Sequence, residues 1–317
     1  MGAQHACETK CCRSAADDVI SQYDDIDVCC RSPDSSLAPR EDGLSRNDDA
    51  NPSTRSADAD VELNYFDREV EECLKMKGLY DPSIVEERPL HTFASGSTYS
   101  GDWKGNLRHG YGVQKWPDGA MYMGQWNCGK ADGKGKLSHA NGSSYIGEWR
   151  GNIAHGKGVY MIDGLPSYVG EWVNALQHGS GVESWSDGSY YSGTFRTGQK
   201  EGAGVYKWAD GSEFRGEWSG NTCSGLGRYL GEGCVFAGTW QDSVIHGRGK
   251  YEWPDGRAYA GEYAFDKKHG YGELLWPDGR RFQGFWREGC QHGDGAYSTK
   301  TGQKMFGRWE DGKRCEK

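Results

Sequence analysis

The sequence predicts an all-β protein: an elongated, single-layer antiparallel sheet of tandem 23-residue β-hairpins, preceded by a disordered N-terminal tail and one capping helix. Three observations predict this fold. An aromatic-x-Gly-x-aromatic pattern returns every 23 residues, and a Gly-x-Gly pair follows it at a fixed distance. The composition is the third: 49 Gly, 13 Trp and 18 Tyr with only 35% hydrophobic residues provide few aliphatic side chains for a three-dimensional core.

The aromatic pattern defines the repeat units. The first copy is Tyr99, Gly101 and Trp103, and the step to the next copy is 23 residues except for one step of 22. Trp recurs at the third position of the motif, and Phe195 and Tyr263 replace it. The array therefore covers residues 91–317, with units that begin at 99, 122, 145, 168, 191, 214, 236, 259 and 282 and a partial unit at 305. The recurring Trp residues are Trp126, Trp149, Trp172, Trp218, Trp240, Trp286 and Trp309.

The Gly-x-Gly pair fixes the register, and Gly110 and Gly112 form its first copy. Strand residues two apart share a face, so we expect both rings and the intervening glycine on one side of the sheet. Lys104-Gly105-Asn106 is predicted to turn the chain, Gly-x-Gly to open the return strand, and Pro117-Asp118-Gly119 to turn it into the next unit. We expect rings of neighbouring units to lie against these glycines as an aromatic ladder. Nine and a half hairpins would give about 20 strands and span roughly 95 Å.

These motifs resemble the MORN (membrane occupation and recognition nexus) repeat, whose pattern is Tyr-x-Gly-x-Trp, then Gly-x-Gly, then Asp-Gly. The match covers residues 99–311, and a half-unit at Phe93–Gly96 precedes it. The resemblance implies an extended antiparallel sheet and a scaffold. Such arrays also accompany catalytic domains, but we expect no enzyme and no cofactor here, because the residues before the array are few and polar. Stand-alone arrays occur in cytoskeletal, ciliary and membrane-contact proteins. One residue is missing near Gly231, where we expect a bend.

A column of histidines precedes the first glycine of the pair in six units. Neighbours in such a column would lie about 10 Å apart, whereas a Zn–N bond is about 2.0–2.1 Å. We therefore expect a structural role in the turn, with a ring hydrogen bond to the backbone, and no metal site within one chain. A metal shared between chains through His292 or Cys290 is the alternative. The column is His109, His155, His178, His246, His269 and His292.

Charge is uneven along the chain. Residues 1–90 contain 10 Lys/Arg and 21 Asp/Glu, whereas residues 91–317 contain 27 and 25. A near-neutral array is not expected to bind nucleic acid. Residues 267–317 have 11 Lys/Arg against 7 Asp/Glu, which is typical of a solvated face or of a patch for anionic lipid or an acidic partner. The patch candidates are Lys267, Lys268, Arg280, Arg281, Lys313 and Arg314.

Residues 1–60 are predicted to form a disordered, acidic tail that contains cysteines. Gly2 is a myristoylation candidate, although Ala6 stands where Ser or Thr is preferred. Cys7, Cys11 and Cys12 are palmitoylation candidates and would supply the second signal that stable anchoring needs. The alternative is an ordinary flexible tail.

Residues 61–90 are predicted to form a helix and a linker. Val61 to Lys77 fits one helix with Phe66, Val70, Cys73 and Leu74 in its apolar stripe. We expect this helix to pack on the first hairpins and to cover an open sheet edge; a partner-binding helix is the alternative.

Two classes of function follow. The first is a non-catalytic scaffold, membrane-associated through acylation, that organises a cytoskeletal or cortical assembly. The second is a soluble ciliary or flagellar component that binds proteins through its array; direct phosphoinositide binding is a third idea. We expect a cytoplasmic protein, peripheral to a membrane or the cytoskeleton at the plasma membrane, cortex or cilium. An exposed aromatic face would be sticky, so we also expect a homodimer or a stable protein partner.

Overall fold

The computed structural model describes residues 65–67, 69–76 and 81–315. They divide into two compact units, one that ends at Val244 and one that begins at Ile245. Residues 65–67 are helical. The first unit then contains α1 (Val70–Lys75), β1 (Val85–Thr92), β2 (Thr98–Lys104), β3 (Leu107–Lys115), β4 (Met121–Asn127), β5 (Lys130–Ser138), β6 (Ser144–Arg150), β7 (Ile153–Ile162), β8 (Leu165–Val173), β9 (Leu176–Ser184), β10 (Tyr190–Arg196), β11 (Gln199–Lys207), β12 (Glu213–Ser219), β13 (Thr222–Gly231) and β14 (Cys234–Gln241). The second contains β15 (Val244–Glu252), β16 (Ala258–Ala264), β17 (Lys267–Leu275), β18 (Arg281–Arg287), β19 (Cys290–Ser298), β20 (Lys304–Glu310) and β21 (Lys313–Arg314).

The predicted fold class is confirmed. Within each unit, every strand pairs antiparallel with its neighbour in the sequence, so the sheet is an open meander of hairpins. The half-unit is also present, because β1 pairs with β2 across the turn at Phe93–Gly96. The predicted tail, residues 1–60, lies outside the described residues.

Each complete hairpin whose register is defined contains a β-bulge at the first glycine of the pair. In the first hairpin, residues 109–111 lie opposite Asp102 alone, because the register shifts between Gly101 and Trp103. Gly110 has a φ of 60°, in the left-handed region that glycine adopts without strain. The Gly-x-Gly pair therefore lies inside the return strand, which begins three residues earlier, and the prediction that it opens this strand is wrong.

Side chains satisfy the backbone groups that the bulge leaves unpaired. The Tyr99 hydroxyl donates to the Asp102 carbonyl at 2.9 Å, and the Asp102 carboxylate accepts the N–H of Tyr111 at 3.0 Å. A Cβ on Gly112 would lie 2.2 Å from the Tyr99 hydroxyl oxygen, so the ring needs a glycine beneath it. The ring on the glycine thus comes from the same hairpin, and the predicted ring of the neighbouring unit also reaches this backbone, because the Trp126 indole donates to the Gly112 carbonyl. The hydroxyl bond recurs at 2.9–3.1 Å from Tyr122, Tyr145, Tyr168, Tyr191 and Tyr259.

The aromatic ladder is confirmed, and it joins successive hairpins. Trp126 packs edge-on against Tyr122 of its own unit and Tyr99 of the preceding unit, with ring centroids 5.0 and 5.6 Å apart. Its indole N–H donates to the carbonyl of Gly112 at 3.3 Å. These rings are almost completely buried among one another, Tyr99 and Tyr122 at 0% exposure. The motif rings therefore do not form an exposed aromatic face, because ring edges and glycine backbone cover each other.

The turns between units explain the missing residue. Most of these turns span several residues and end on an Asx-Gly pair; Asp118 accepts the N–H of Ala120 at 3.0 Å in the first of them. At residues 232–233 the turn has only two residues, both with positive φ, and Gly231 pairs directly with Cys234. Residues 163–164 form the same short turn, but a register shift between Tyr160 and Met161 adds one residue there. That extra residue distinguishes the 23-residue step from the 22-residue step.

Candidate protein-binding site on the ring face

We use the name ring face for the side of the sheet that presents the Tyr/Phe and Trp rings of the motif. The residue paired with each Trp position across the hairpin lies on the same face, and it varies from unit to unit. In the first three hairpins this residue is Arg108, Ala131 and Ala154. In the later hairpins for which the pairing is defined it is Gln177, Lys200, Cys223, Lys268, Gln291 and Arg314.

The first hairpins are covered by residues 65–67 and 69–76, which we call the docked segment. Phe66 is fully buried there, with its ring surrounded edge-on by four aromatic rings. Two of the four belong to the Trp positions paired with alanine, so small side chains leave room for the incoming ring. The centroid distances from Phe66 are 5.5 Å to Trp116, 5.2 Å to Tyr122, 5.8 Å to Trp126 and 5.6 Å to Trp149. We call these four rings, with Ala131 and Ala154, the ring pocket.

A buried guanidinium connects the docked segment to the sheet. Arg108 is 0% exposed; it donates to the Phe66 carbonyl at 2.8 Å and to the Gly129 carbonyl at 3.0 Å. It also donates to Gln114 at 3.1 Å and stacks on the Trp126 ring at 4.3 Å. Burial lowers the pKa of Arg108, but a guanidinium stays charged at any physiological pH. A carbonyl and a ring face are the groups that this cation selects.

The counter-ion comes from the docked segment. Glu69, 1% exposed, accepts hydrogen bonds from Ser97 at 2.9 Å and Ser95 at 3.1 Å. Its second carboxylate oxygen lies 4.0 Å from an Arg108 nitrogen and has no hydrogen-bond partner. Burial raises the pKa of the neighbouring Cys73 thiol to about 11, so it packs there as a neutral side chain.

The two ends of the docked segment are also attached. The Tyr65 hydroxyl contacts Asp118, and the Asn152 amide donates to the Asp67 carboxylate at 3.0 Å. At the other end, the Asn106 amide donates to the backbone carbonyl of the last described residue of the segment at 2.7 Å. The segment therefore reaches over hairpins from β2 to β7.

The prediction of a helix before the array is confirmed in part. Residues 65–67 are helical and α1 covers Val70–Lys75, but Glu69 is a turn residue and Met76 lies outside the helix, so the described residues do not form one continuous helix. The docked segment packs on the first hairpins as expected, but it lies over the ring face. Strand β1, at the sheet edge, remains largely exposed, with Leu90 at 65%. The prediction that the helix covers an edge is therefore wrong, because Phe66 and Glu69 have partners on the face.

Later hairpins of the first unit fill the same space with their own side chains. The Lys200 amine pairs with Glu183 at 3.1 Å and lies over the rings of Trp185 and Tyr191 at 4.9 and 5.5 Å. Both charged residues are almost completely buried. In the second unit, Lys268 lies over three rings in the same way. A charged side chain from the sheet thus replaces the covering segment.

The histidine column lies in the bulges. The Nδ1 atom of His109 accepts the N–H of Cys128 at 3.3 Å, and that of His292 faces the N–H of Asp311 at 3.5 Å. These contacts agree with a ring hydrogen bond to the turn of the next hairpin. Within residues 65–67, 69–76 and 81–315, no group of three His, Cys, Asp or Glu side chains is arranged to hold a metal ion.

The basic residues predicted as a patch do not all lie on one surface. Lys267 pairs with Glu288 at 2.6 Å and Arg280 with Asp278 at 2.7 Å. Lys268 is buried on the ring face, and the remaining three are Arg281, which contacts Glu273, Lys313, which is exposed, and Arg314, which stacks beside Trp309. The lipidation candidates Gly2, Cys7, Cys11 and Cys12 lie outside the described residues.

Sequence reasoning did not find the ring pocket or the acidic residue that several bulges contain. Each leaves a trace at its own repeat position. The residue before the third motif position is acidic in five units, and the residue five after that position is alanine only at Ala131 and Ala154. Comparing the units position by position would have shown both.

Exposed apolar side chains lie on the opposite face of the sheet. In the second unit, Tyr271 and Phe285 form an exposed cross-strand pair with centroids 5.5 Å apart. In the first unit, aliphatic side chains such as Ile146 and Val169 are about half exposed there. Within the described residues, no helix is both long and apolar enough to cross a membrane.

The sequence matches the MORN repeat in eight tandem copies, and no other domain is found. They cover residues 99–121, 122–144, 145–164, 168–190, 191–213, 214–233, 236–256 and 259–280. The chain therefore belongs to the MORN-repeat family, a non-catalytic repeat class. No curated protein matches the chain.

Solved structures give only distant similarities. A mutant TCP10 domain of CPAP from Danio rerio is 11% identical, with a TM-score of 0.23 over 70% of this chain and 100% of that one. The SAS-4 TCP domain of Drosophila melanogaster, solved with a proline-rich motif of Ana2, is 10% identical, with a TM-score of 0.19 over 69% of this chain and 88% of that one. These scores are too low to support any argument about function.

Proposed function

We propose that the protein is a non-catalytic scaffold that binds protein partners through its sheet and organises a cytoskeletal or cortical assembly at a membrane. The observation that supports partner binding most directly is the docked segment. A short stretch of chain, with one aromatic residue and one carboxylate, is seated on the ring face in a pocket of four rings. A surface that receives one such segment has the chemistry to receive another.

Membrane attachment is proposed through acylation of Gly2 and of Cys7, Cys11 or Cys12, which provide the two signals that stable anchoring needs. The dispersal and ion pairing of the basic residues weigh against direct phosphoinositide binding by the array. A homodimer also stays a proposal, but the buried rings remove the sticky face on which we based it.

The localisation test compares the full chain, fused at its C-terminus to a fluorescent protein, with its Gly2→Ala variant. We expect the wild type at the plasma membrane or cortex and the variant in the cytoplasm, because one remaining signal anchors weakly. Cys128→Ser is the matched control, since it removes a cysteine from a hairpin turn and leaves the N-terminus intact. Membrane localisation that persists in Gly2→Ala contradicts anchoring by acylation of Gly2, and cytoplasmic localisation of both proteins favours a soluble ciliary or flagellar component.

A further inference from the structure

The ring pocket has the properties of a recognition site. Phe66 is fully buried in it, yet Phe66 belongs to a segment outside the repeat pattern. The residues paired with Trp126 and Trp149 are the only alanines at this repeat position among the pairings defined in the described chain. The site is thus shaped for a side chain that arrives from elsewhere.

The bound chemistry is specific in two places. The pocket takes an aromatic ring, and Arg108 takes the backbone carbonyl of that same residue at 2.8 Å. Three residues later, Glu69 binds Ser95 and Ser97 and faces Arg108. The recognised unit is therefore an aromatic residue followed, three positions later, by a glutamate.

Several features indicate that this contact can open. Helix α1 has six residues, and a helix this short is not stable alone. Arg108 and Glu69 approach only to 4.0 Å, and Arg108 Nε and Glu69 Oε2 have no hydrogen-bond partner. A buried ion pair with incomplete hydrogen bonding gains little over two hydrated ions. When the segment leaves, both charges recover water, which offsets part of the loss of ring contact.

We propose that the ring pocket with Arg108 is a binding site for an aromatic-x-x-glutamate segment of a partner protein, and that Phe66 and Glu69 occupy it as a displaceable intramolecular ligand. The inference rests on the proposed scaffold function, because it assigns one partner chemistry to one part of the sheet. The docked segment competes with the partner for the ring pocket. The apparent affinity for the partner is therefore reduced by the fraction of molecules in which the segment is undocked.

The probe is a fluorescein-labelled peptide of residues 61–76, measured by fluorescence anisotropy against the full chain. The opened variant is Phe66→Ala/Glu69→Gln. We expect it to bind the peptide at least about tenfold more tightly than the wild type does, because its own segment no longer competes. The same peptide with Phe66→Ala should not bind either protein.

Two further substitutions in the opened variant test the location. Ala154→Leu should fill the pocket and abolish peptide binding. Gln291→Leu is the matched control, because it changes the same repeat position in a hairpin outside the ring pocket, and binding should be unchanged. Circular dichroism and thermal unfolding check that each variant is folded.

If the opened variant does not fold, native-state hydrogen exchange of the wild-type protein tests the proposal in its place. Amides 69–76 should exchange through an opening that leaves β2–β7 protected. The proposal is overturned if amides 69–76 exchange only when strands β2–β7 unfold. It is also overturned if the folded opened variant binds the peptide no more tightly than the wild type does, or does not bind it at all. Either failure leaves the Gly2→Ala localisation result standing, so the two proposals are tested separately.

Discussion

The hairpins from β2 to β7 and those from β8 to β13 cover the same aromatic face in two ways. In the first region, Arg108, Ala131 and Ala154 leave space, and a separate segment fills it with Phe66. In the second, longer side chains of the sheet itself fill the space, as Lys200 does with Glu183. The repeat motif therefore fixes the backbone and the aromatic ladder. The variable residue paired with each Trp position determines whether the ring face is covered by the unit's own side chains or can receive another chain segment.

The largest expected effect is the difference in stability loss between removing a ring of the aromatic ladder and removing the ring of the docked segment. Trp126→Ala should lower the free energy of unfolding by about 3–5 kcal/mol, because it removes a buried ring of the array. Phe66→Ala removes an equally buried ring, but its cost is limited to the free energy of docking, since the segment can leave. Urea unfolding followed by circular dichroism measures both losses.

Trp172→Ala is the control for that comparison, since Trp172 packs on Tyr145 and Tyr168 as Trp126 does on its neighbours, and among the described residues its ring packs on no ring of the docked segment. If Phe66→Ala destabilises the chain as much as either Trp variant does, the docked segment is an integral part of the array and the distinction between the two regions is lost.

The second prediction concerns the two buried ion pairs. Glu183→Gln or Lys200→Met should each cost about 3–5 kcal/mol, because each leaves one buried charge that cannot reach water, while Lys200→Met/Glu183→Leu should be close to neutral. Glu69→Gln should cost much less, because Arg108 is rehydrated when the segment opens. Denaturation of the single and double variants checks this; a cost for Glu69→Gln equal to that of Glu183→Gln would contradict it.

The regular part of the molecule could be predicted from sequence because its determinants are local and periodic. The Tyr99 motif and its glycines recur in every unit and the turn at residue 118 in most of them, and together they fix strand pairing and ring contacts. The bulge was not predicted, because Gly110 was interpreted as a strand start and not as a left-handed residue. The place of Phe66 depends on one pocket made by three hairpins, and no local pattern near residue 66 specifies which face receives it.

The third prediction tests what both regions share. Tyr122→Phe in the covered region and Tyr168→Phe in the other should each cost about 0.5–1.5 kcal/mol, because each removes a hydroxyl that donates to a bulge carbonyl, at 2.9 and 3.0 Å. Equal losses of unfolding free energy in urea would mean that this hydrogen bond stabilises each repeat independently of the docked segment. A clearly larger loss for Tyr122→Phe would show that docking of the segment depends on the hydroxyl. The two regions would then also differ in the stability of their aromatic ladder.

The smallest effect concerns one turn position. Asn152 and Asp266 each accept the N–H of the preceding hairpin, from Ala131 and Ile245, at 2.7 Å. Only Asn152 also donates, to Asp67 of the docked segment. Asn152→Asp should therefore place two carboxylates together and speed hydrogen exchange of amides 69–76. Asp266→Asn keeps the accepted bond, and it should stabilise the chain by less than about 1 kcal/mol at neutral pH, because the partly exposed carboxylate is screened.

The pH dependence identifies the cause of that gain. Burial raises the pKa of Asp266, although the Ile245 N–H opposes the shift. The folded state thus holds the proton more tightly than the unfolded chain, and the wild type gains stability as pH falls from above the raised pKa to the ordinary value of about 3.9. Asn does not titrate, so the advantage of Asp266→Asn should be complete at about pH 7 and shrink as pH falls through the raised pKa. An advantage in urea unfolding that stays constant down to about pH 3 would mean that ionisation of Asp266 is not its cause.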